Sequence, residues 1–238
     1  MRPYIVCHMV SSVDGRLLTD RWTKPAAGVD GSILRGYYDQ VAEHFDADGW
    51  IVGRKTMAYY AKGSARIVKP IDTDLRKTHV ADRRKRDIAI AIDPSGKLHY
   101  GKDDADGDHI VAVVGEQVSD AYLAELRDDG VSYLFAGRDG NDLHGALTTL
   151  GAVFDAKTLL LEGGGLVNGA FLGAGLIDEI SLLVYPGIDG LAGVSSIFEY
   201  VGAADERPAD GQSLRHIATE GLEGGMVWLR YRVEGGTP

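Results

Sequence analysis

The chain has one cysteine, Cys7, among 238 residues. A lone cysteine leaves no disulfide framework and no cysteine-based metal site to build. Inside "YIVCHMV" it reads as a small buried apolar side chain. Basic residues are also scarce: 25 Lys and Arg stand against 35 Asp and Glu, a formal net charge of −10 with a pI near 5.1. That balance argues against nucleic acid or an anionic membrane surface as a partner, since both require a basic face. An anionic ligand must then be held by local cations or by backbone amides. No apolar run reaches the roughly 18 to 20 residues of a membrane helix. With no recognisable signal segment, the expected location is the cytoplasm.

What is present is an ordinary globular composition, 45% hydrophobic and 25% charged, long enough to bury a sizeable core. Seven apolar runs read as strands: residues 4–10, 50–53, 87–92, 109–115, 131–137, 158–164 and 179–187. Most are continuous rather than alternating, the pattern of strands covered on both faces. Helices are expected between them. Leu34, Tyr38, Val41 and Phe45 recur at helical spacing within residues 32–45, and Gly49 closes that segment. A second helix opens on Ser119 and ends at Gly130, and a third covers residues 143–154.

Alternating strands and helices imply a mostly parallel sheet with right-handed crossovers. Residues 213–233 read instead as two strands around a glycine-rich turn, an antiparallel hairpin at one sheet edge. "GKDDADGD" (101–108) and "GAADERPADGQ" (202–212) read as surface loops, and "DRRKRD" (82–87) as a solvated loop before a strand. No linker divides the chain, so residues 1–238 are expected to form one α/β domain.

Three strand exits carry chemistry. In "LLLEGGGLVNGAFL" a strand ends near Glu162, three glycines follow, and a helix starts near Leu166. A glycine turn ahead of a helix offers backbone N–H groups at the positive end of the helix dipole, where phosphate binds without a cationic side chain. The same glycines would also let helix and strand pack closely, and these residues alone leave both explanations open. "IVGRKTM" (51–57) repeats the layout with Arg54, Lys55 and Thr56 at the helix start. "SSVDGRLLT" (11–19) sets Ser12 and Asp14 at the exit of the first strand. Neither the dinucleotide G-x-G-x-x-G spacing nor the P-loop GK[ST] is present. Arg138, past "YLFAG", stands at a further strand exit.

With these segments in view, the sequence resembles the dihydrofolate reductase-like superfamily, and within it the riboflavin-pathway pyrimidine reductases, the C-terminal reductase domain of bifunctional deaminase–reductases. "SSVDGRLLT", "VGRKT" and above all "LLLEGGGLVNGAFLGAGLIDEISLLVYPGIDG" carry the resemblance. It implies a three-layer α/β fold, a mixed, mostly parallel sheet with helices on both faces, an NADPH cofactor and a homodimer. It places Gly53, Arg54 and Thr56 on the 2′-phosphate and pyrophosphate, and Gly163, Gly164, Gly165, Leu166 and Val167 at a second phosphate-contacting turn. Asp14, Ser12 and Glu162 fall where the family lines the nicotinamide and substrate pocket, and no metal is implied. Two positions depart from the pattern. Where members acting on the ribosylaminopyrimidine phosphate carry a first-strand lysine this chain has His8, and their D-D-P-like segment is replaced by "AYYAKG" (58–63).

The expected reaction is hydride transfer from NADPH to a C=N or C=O carbon of a small heterocyclic or ribosylaminopyrimidine-like substrate. Glu162 is expected to pair with the N–H donors of an aminopyrimidine or pterin edge, and Asp14 or His8 to pass the balancing proton. Two other functions fit the same residues: a dihydrofolate or pterin reductase, and a non-catalytic protein that binds NADP(H).

Overall fold

All seven apolar runs form strands, and the segments between most of them form helices. The computed structural model describes residues 1–68 and 74–235; the side chains of residues 33–35, and so Leu34 of the expected helical stripe, lie outside the described residues. In chain order the elements are β1 (Tyr4–Ser12), α1 (Ile33–Glu43), β2 (Gly49–Gly53), α2 (Arg54–Met57), β3 (Ile88–Ile92), β4 (Asp104–Ala105), β5 (Asp108–Val114), α3 (Asp120–Asp128), β6 (Ser132–Phe135), α4 (Leu143–Val153), β7 (Thr158–Leu161), α5 (Gly165–Gly173), β8 (Glu179–Tyr185), β9 (Gln212–Gly221) and β10 (Val227–Gly235).

The chain divides into two compact units. The first holds Met1–Pro3 and Asp48–Leu159; the second holds Tyr4–Ala47 and the chain from Leu160 onward. In the first, β2 pairs with β3, β3 with β5 and β5 with β6, all parallel. Their side chains explain the continuous apolar runs, for Ile88, Ala89, Ile90, Ala91 and residues 110–114 are all completely buried. Each large aliphatic side chain removed from water in this way contributes about 1.5–3 kcal/mol before conformational entropy is charged against it. Gly49 opens β2 rather than closing a helix. A β-carbon there would sit 2.1 Å from the carbonyl oxygen of Ile88, so only glycine lets the two strands meet at this point.

In the second unit β1 and β8 pair in parallel, and β8, β10 and β9 follow in antiparallel order, the expected hairpin. The β1–β8 register sets His8 beside Ser181. Helix α1 packs Val41 into an aromatic core with Trp22, Tyr185 and Trp228.

Two local expectations change. "GKDDADGD" contains β4, whose Ala105 is fully buried beside β5. "DRRKRD" is not wholly solvated: Arg86 is largely buried and bonded to Asp103 and to Nδ1 of the buried His109. A guanidinium with two acceptors in reach is anchored rather than hydrated.

Candidate functional site

In the second unit, β7 ends at Leu161, and Glu162 is the next residue, partly buried. Burial raises its carboxyl to about 7; the nearby Tyr38 hydroxyl works the other way, and Asp39 adds a smaller upward push. Helix α5 follows at once. Its N-cap is Gly164 in extended conformation, no side chain caps it, and its first turn holds no acidic residue. A helix start of this kind leaves amide donors for an external acceptor.

The glycine triplet divides its work. A β-carbon on Gly164 would meet nothing within 4 Å. One on Gly165 would sit 2.4 Å from the carbonyl of Ser196, one on Gly169 2.2 Å from that of Glu199, and one on Gly173 2.7 Å from the Tyr200 ring. These three glycines, at helical spacing, form the face on which residues 196–200 lie, with the Glu199 amide donating to the Gly165 carbonyl at 2.9 Å. The close-packing explanation therefore holds for Gly165, and the open approach belongs to Gly164. Leu166 is exposed. The Val167 amide is already committed, donating to the Gly164 carbonyl at 3.0 Å, so it is not a free donor for phosphate.

At the β1 exit, the buried Ser12 donates to Asp14 Oδ1 at 2.7 Å and accepts from the Arg16 amide at 2.9 Å. Asp14 also accepts from the amides of Asp189 (3.1 Å) and Gly190 (2.8 Å). These donors, the Ser12 hydroxyl foremost, hold the Asp14 carboxyl down to about 2. An exposed carboxylate so held is ionised at neutral pH and ties down the loop after β8.

His8 is completely buried. Its Nε2 lies 3.1 Å from the carbonyl oxygen of Tyr38, which can only accept, so Nε2 carries the proton. Nδ1 then accepts from Ser181 at 3.1 Å, and Ser181 accepts from Trp228 Nε1 at 2.8 Å. Burial pulls the ring down to about 4. Both nitrogens are occupied and the ring is neutral, the condition of a core histidine.

In the first unit, Gly53 caps α2 in extended conformation, again with no side-chain cap and no acidic residue in the first turn. Arg54, Lys55 and Thr56 are exposed. Arg54 Nη1 donates to Ser95 Oγ at 3.4 Å, which brings in a hydroxyl that the sequence reading missed. "IDPSG" after β3 is a strand exit like the others, and that was the available signal. Arg138 is exposed at the exit of β6. Among the described residues, no cluster of His, Cys, Asp and Glu could hold a metal ion, and no helix is long and apolar enough to cross a membrane.

Comparison with curated proteins returned no match. The family model of the RibD C-terminal domain matches residues 3–215. Among solved structures, a pyrimidine reductase-like protein from Corynebacterium diphtheriae is similar over 98% of this chain and 92% of its own, with a TM-score of 0.69 and 19% identity. RibD from Acinetobacter baumannii follows at 0.60 and 22%, over 98% of this chain but only 58% of its own length. The riboflavin biosynthesis reductase Rib7 of Saccharomyces cerevisiae gives 0.54 and 14%, over 98% and 90%. The common architecture is the mixed α/β, dihydrofolate reductase-like fold.

Proposed function

Because the chain belongs to the RibD C-terminal domain family, we propose that it is an NADPH-dependent reductase acting on a small heterocyclic or ribosylaminopyrimidine-like substrate, of the 5-amino-6-(5-phosphoribosylamino)uracil reductase type. The observation that carries the reading is the place of Glu162, partly buried at the end of β7 and just ahead of the glycine turn into an uncapped helix; burial raises its carboxyl to about 7. A proton donor works best when its pKa lies near the working pH. Asp14, held near 2, and His8, neutral and bonded at both nitrogens, do not meet that condition. The proton that balances the hydride is therefore assigned to a carboxyl oxygen of Glu162.

Each glycine turn, taken by itself, fits a phosphate group, since each starts a helix with no capping side chain and no first-turn acid. Arg54 and Thr56 are assigned to the cofactor's phosphates, with Arg54 and Lys55 favouring the extra phosphate of NADPH over NADH. The amides of Gly164, Gly165 and Leu166 are assigned to the second phosphate contact. When bound, the nicotinamide supplies the hydride. Ser12 and Asp14 shape the substrate side by fixing the loop at Asp189 and Gly190.

A second reading, dihydrofolate or pterin reduction, is favoured by the same carboxyl, which pairs equally well with a pterin edge. Calorimetric titration with NADPH and NADH, then NADPH oxidation across a panel of ribosylaminopyrimidine phosphate, dihydrofolate and dihydropterin, separates these. Turnover of the first supports the proposal, and turnover of only the others selects the second reading. Binding without turnover identifies a non-catalytic NADP(H)-binding protein; failure to bind NADPH removes all three. The proposal also takes the chain as a homodimer, which light scattering checks.

A further inference from the structure

The three strands at the edge of the second unit, β8, β10 and β9, carry their charges on the side opposite to the one water would require. Alternate side chains of a strand point to opposite faces. On one face lies α1: its Val41 packs with Leu183 and Trp228, and the Arg230 guanidinium sits 5.2 Å from the centre of the Phe45 ring. Register and alternation place every Asp, Glu, Lys and Arg of the three strands on that same face. Arg230 bonds Glu179, Arg215 bonds Glu234, and Arg232 and Glu220 complete the set.

The opposite face of these strands has none. Leu182 and Val184 of β8 lie beside Leu229 and Val227 of β10. Beyond them Tyr231 stands with its ring 5.6 Å from that of His216 on β9. Where β1 joins this face it is closed, for Cys7 and Ser11 are buried. From β8 outward it opens. Leu182, Val184, Val227, Leu229 and Tyr231 are each partly exposed, and Leu214 of the edge strand is 55% exposed. An antiparallel sheet with one wet side ordinarily turns its polar residues to that side. Here the side without α1 is the apolar one.

We propose that this face is the docking surface for a second copy of the chain, sheet against sheet about a two-fold axis. The charge distribution selects that occupant. Each copy carries a formal net charge of −10, so two copies repel wherever their acidic surfaces meet. On this face no charge has to leave water, and a two-fold axis brings up the same uncharged face from the other copy. A strongly basic or acidic partner would find nothing there to pair with. The size also fits. Three strands at about 4.8 Å spacing and about eight residues long outline roughly 400 Å², the apolar centre of an interface that takes roughly 800 Å² from each partner. The proposal rests on the homodimer taken above, to which it gives a surface, and not on the reductase chemistry.

Sedimentation velocity tests it. Wild type should run at twice the 25.5 kDa chain mass. Leu229→Asp sets a carboxylate on the middle strand, at a position partly open to water in one copy but brought in twice across the axis. Its dimer Kd should rise about 100-fold or more, and that of Leu214→Asp, at the edge, about tenfold. Arg232→Gln, on the α1 side, should leave the Kd unchanged. A wild-type monomer at every concentration overturns the dimer and the surface together. A Kd unmoved in folded Leu229→Asp and Leu214→Asp overturns the surface while the dimer stands. Should neither variant fold, hydroxyl-radical footprinting of wild type decides. Leu229 and Tyr231 should be protected where the dimer forms and labelled on dilution below its Kd; labelling that ignores concentration overturns the proposal.

Discussion

The two strand–glycine–helix turns have nearly the same backbone and opposite side-chain chemistry. Gly53 (φ −83°, ψ 170°) and Gly164 (φ −71°, ψ 169°) are both extended N-caps without a side-chain partner. After Gly53 come Arg54, Lys55 and Thr56 on a four-residue helix; after Gly164 comes a nine-residue helix whose first turn has neither acid nor base to offer. The first turn brings its own positive charge, whereas the second has only amides and the helix dipole, worth about 0.3–1 kcal/mol at an exposed site. The difference has a use. A lysine or arginine beside Glu162 would favour its ionised form and pull its pKa down. A helix start without cations leaves burial free to lift that carboxyl to about 7.

The comparison breaks most completely if the carboxyl is removed. Glu162→Gln is expected to lower kcat by about 10²- to 10⁴-fold, the range of a lost general acid, and to abolish the limb of the pH–rate profile near 7. A loss of less than about threefold would take Glu162 out of proton transfer. The same substitution should alter stability in a pH-dependent way. The folded-state pKa is raised above the ordinary 4.5, so the ionised form costs stability, and that cost grows as pH rises from about 4.5 to about 7. Relative to wild type, Glu162→Gln should therefore melt higher at pH 8 than at pH 5.

Much of this architecture was legible because burial leaves a direct mark on sequence. Strands covered on both faces need continuous apolar runs, and all seven were found; Ser119 was placed as an N-cap and does accept from the Tyr122 amide. Local pattern fails where a contact joins distant segments. Helical phase put Tyr38 on the inner face of α1, but nothing near it announces a ring lying over His8 of β1. The triplet was left open between an anion turn and close packing, because the chain that presses on Gly165, Gly169 and Gly173, residues 196–200, comes later. His8 lies in a run legible as a buried strand, while its tautomer depends on partners in β8 and α1.

A second break separates packing from approach within the triplet. Gly165→Val forces a branched side chain against the Ser196 carbonyl and should cost about 1–3 kcal/mol, a fall of roughly 3–10 °C in Tm for a chain of this length. Gly164→Ala, facing open space, should leave Tm within about 1 °C, since surface changes away from packing are near neutral, yet weaken NADPH binding measured by calorimetry. Equal Tm losses in both would mean the triplet is a packing device throughout.

Arg54→Ala tests the cationic turn. Losing a charge-assisted contact to phosphate should raise the Kd for NADPH by about tenfold and leave NADH binding nearly unchanged. A parallel loss for both cofactors would move Arg54 from the extra phosphate to the pyrophosphate that they share.

The smallest effect is expected at Asp14, the carboxylate whose surroundings are the reverse of those of Glu162. Its donors, Ser12, Gly190 and Asp189, favour the ionised form, so its contribution to stability is present above the ordinary carboxylate value of 3.8 and is lost as pH falls through about 2. Asp14→Asn keeps the shape and removes the charge. At pH 7 it should lower Tm slightly and raise KM by about two- to threefold through a looser loop at Asp189 and Gly190. At pH 2 to 3 the Tm difference from wild type should shrink, because the wild-type carboxyl is then losing its charge too. The turnover limb near pH 7 should stay in place, since the proposal assigns that proton to Glu162. A shift of that limb in Asp14→Asn would mean that the two carboxyls share the proton, and the division of labour between the β1 exit and the β7 turn would have to be redrawn.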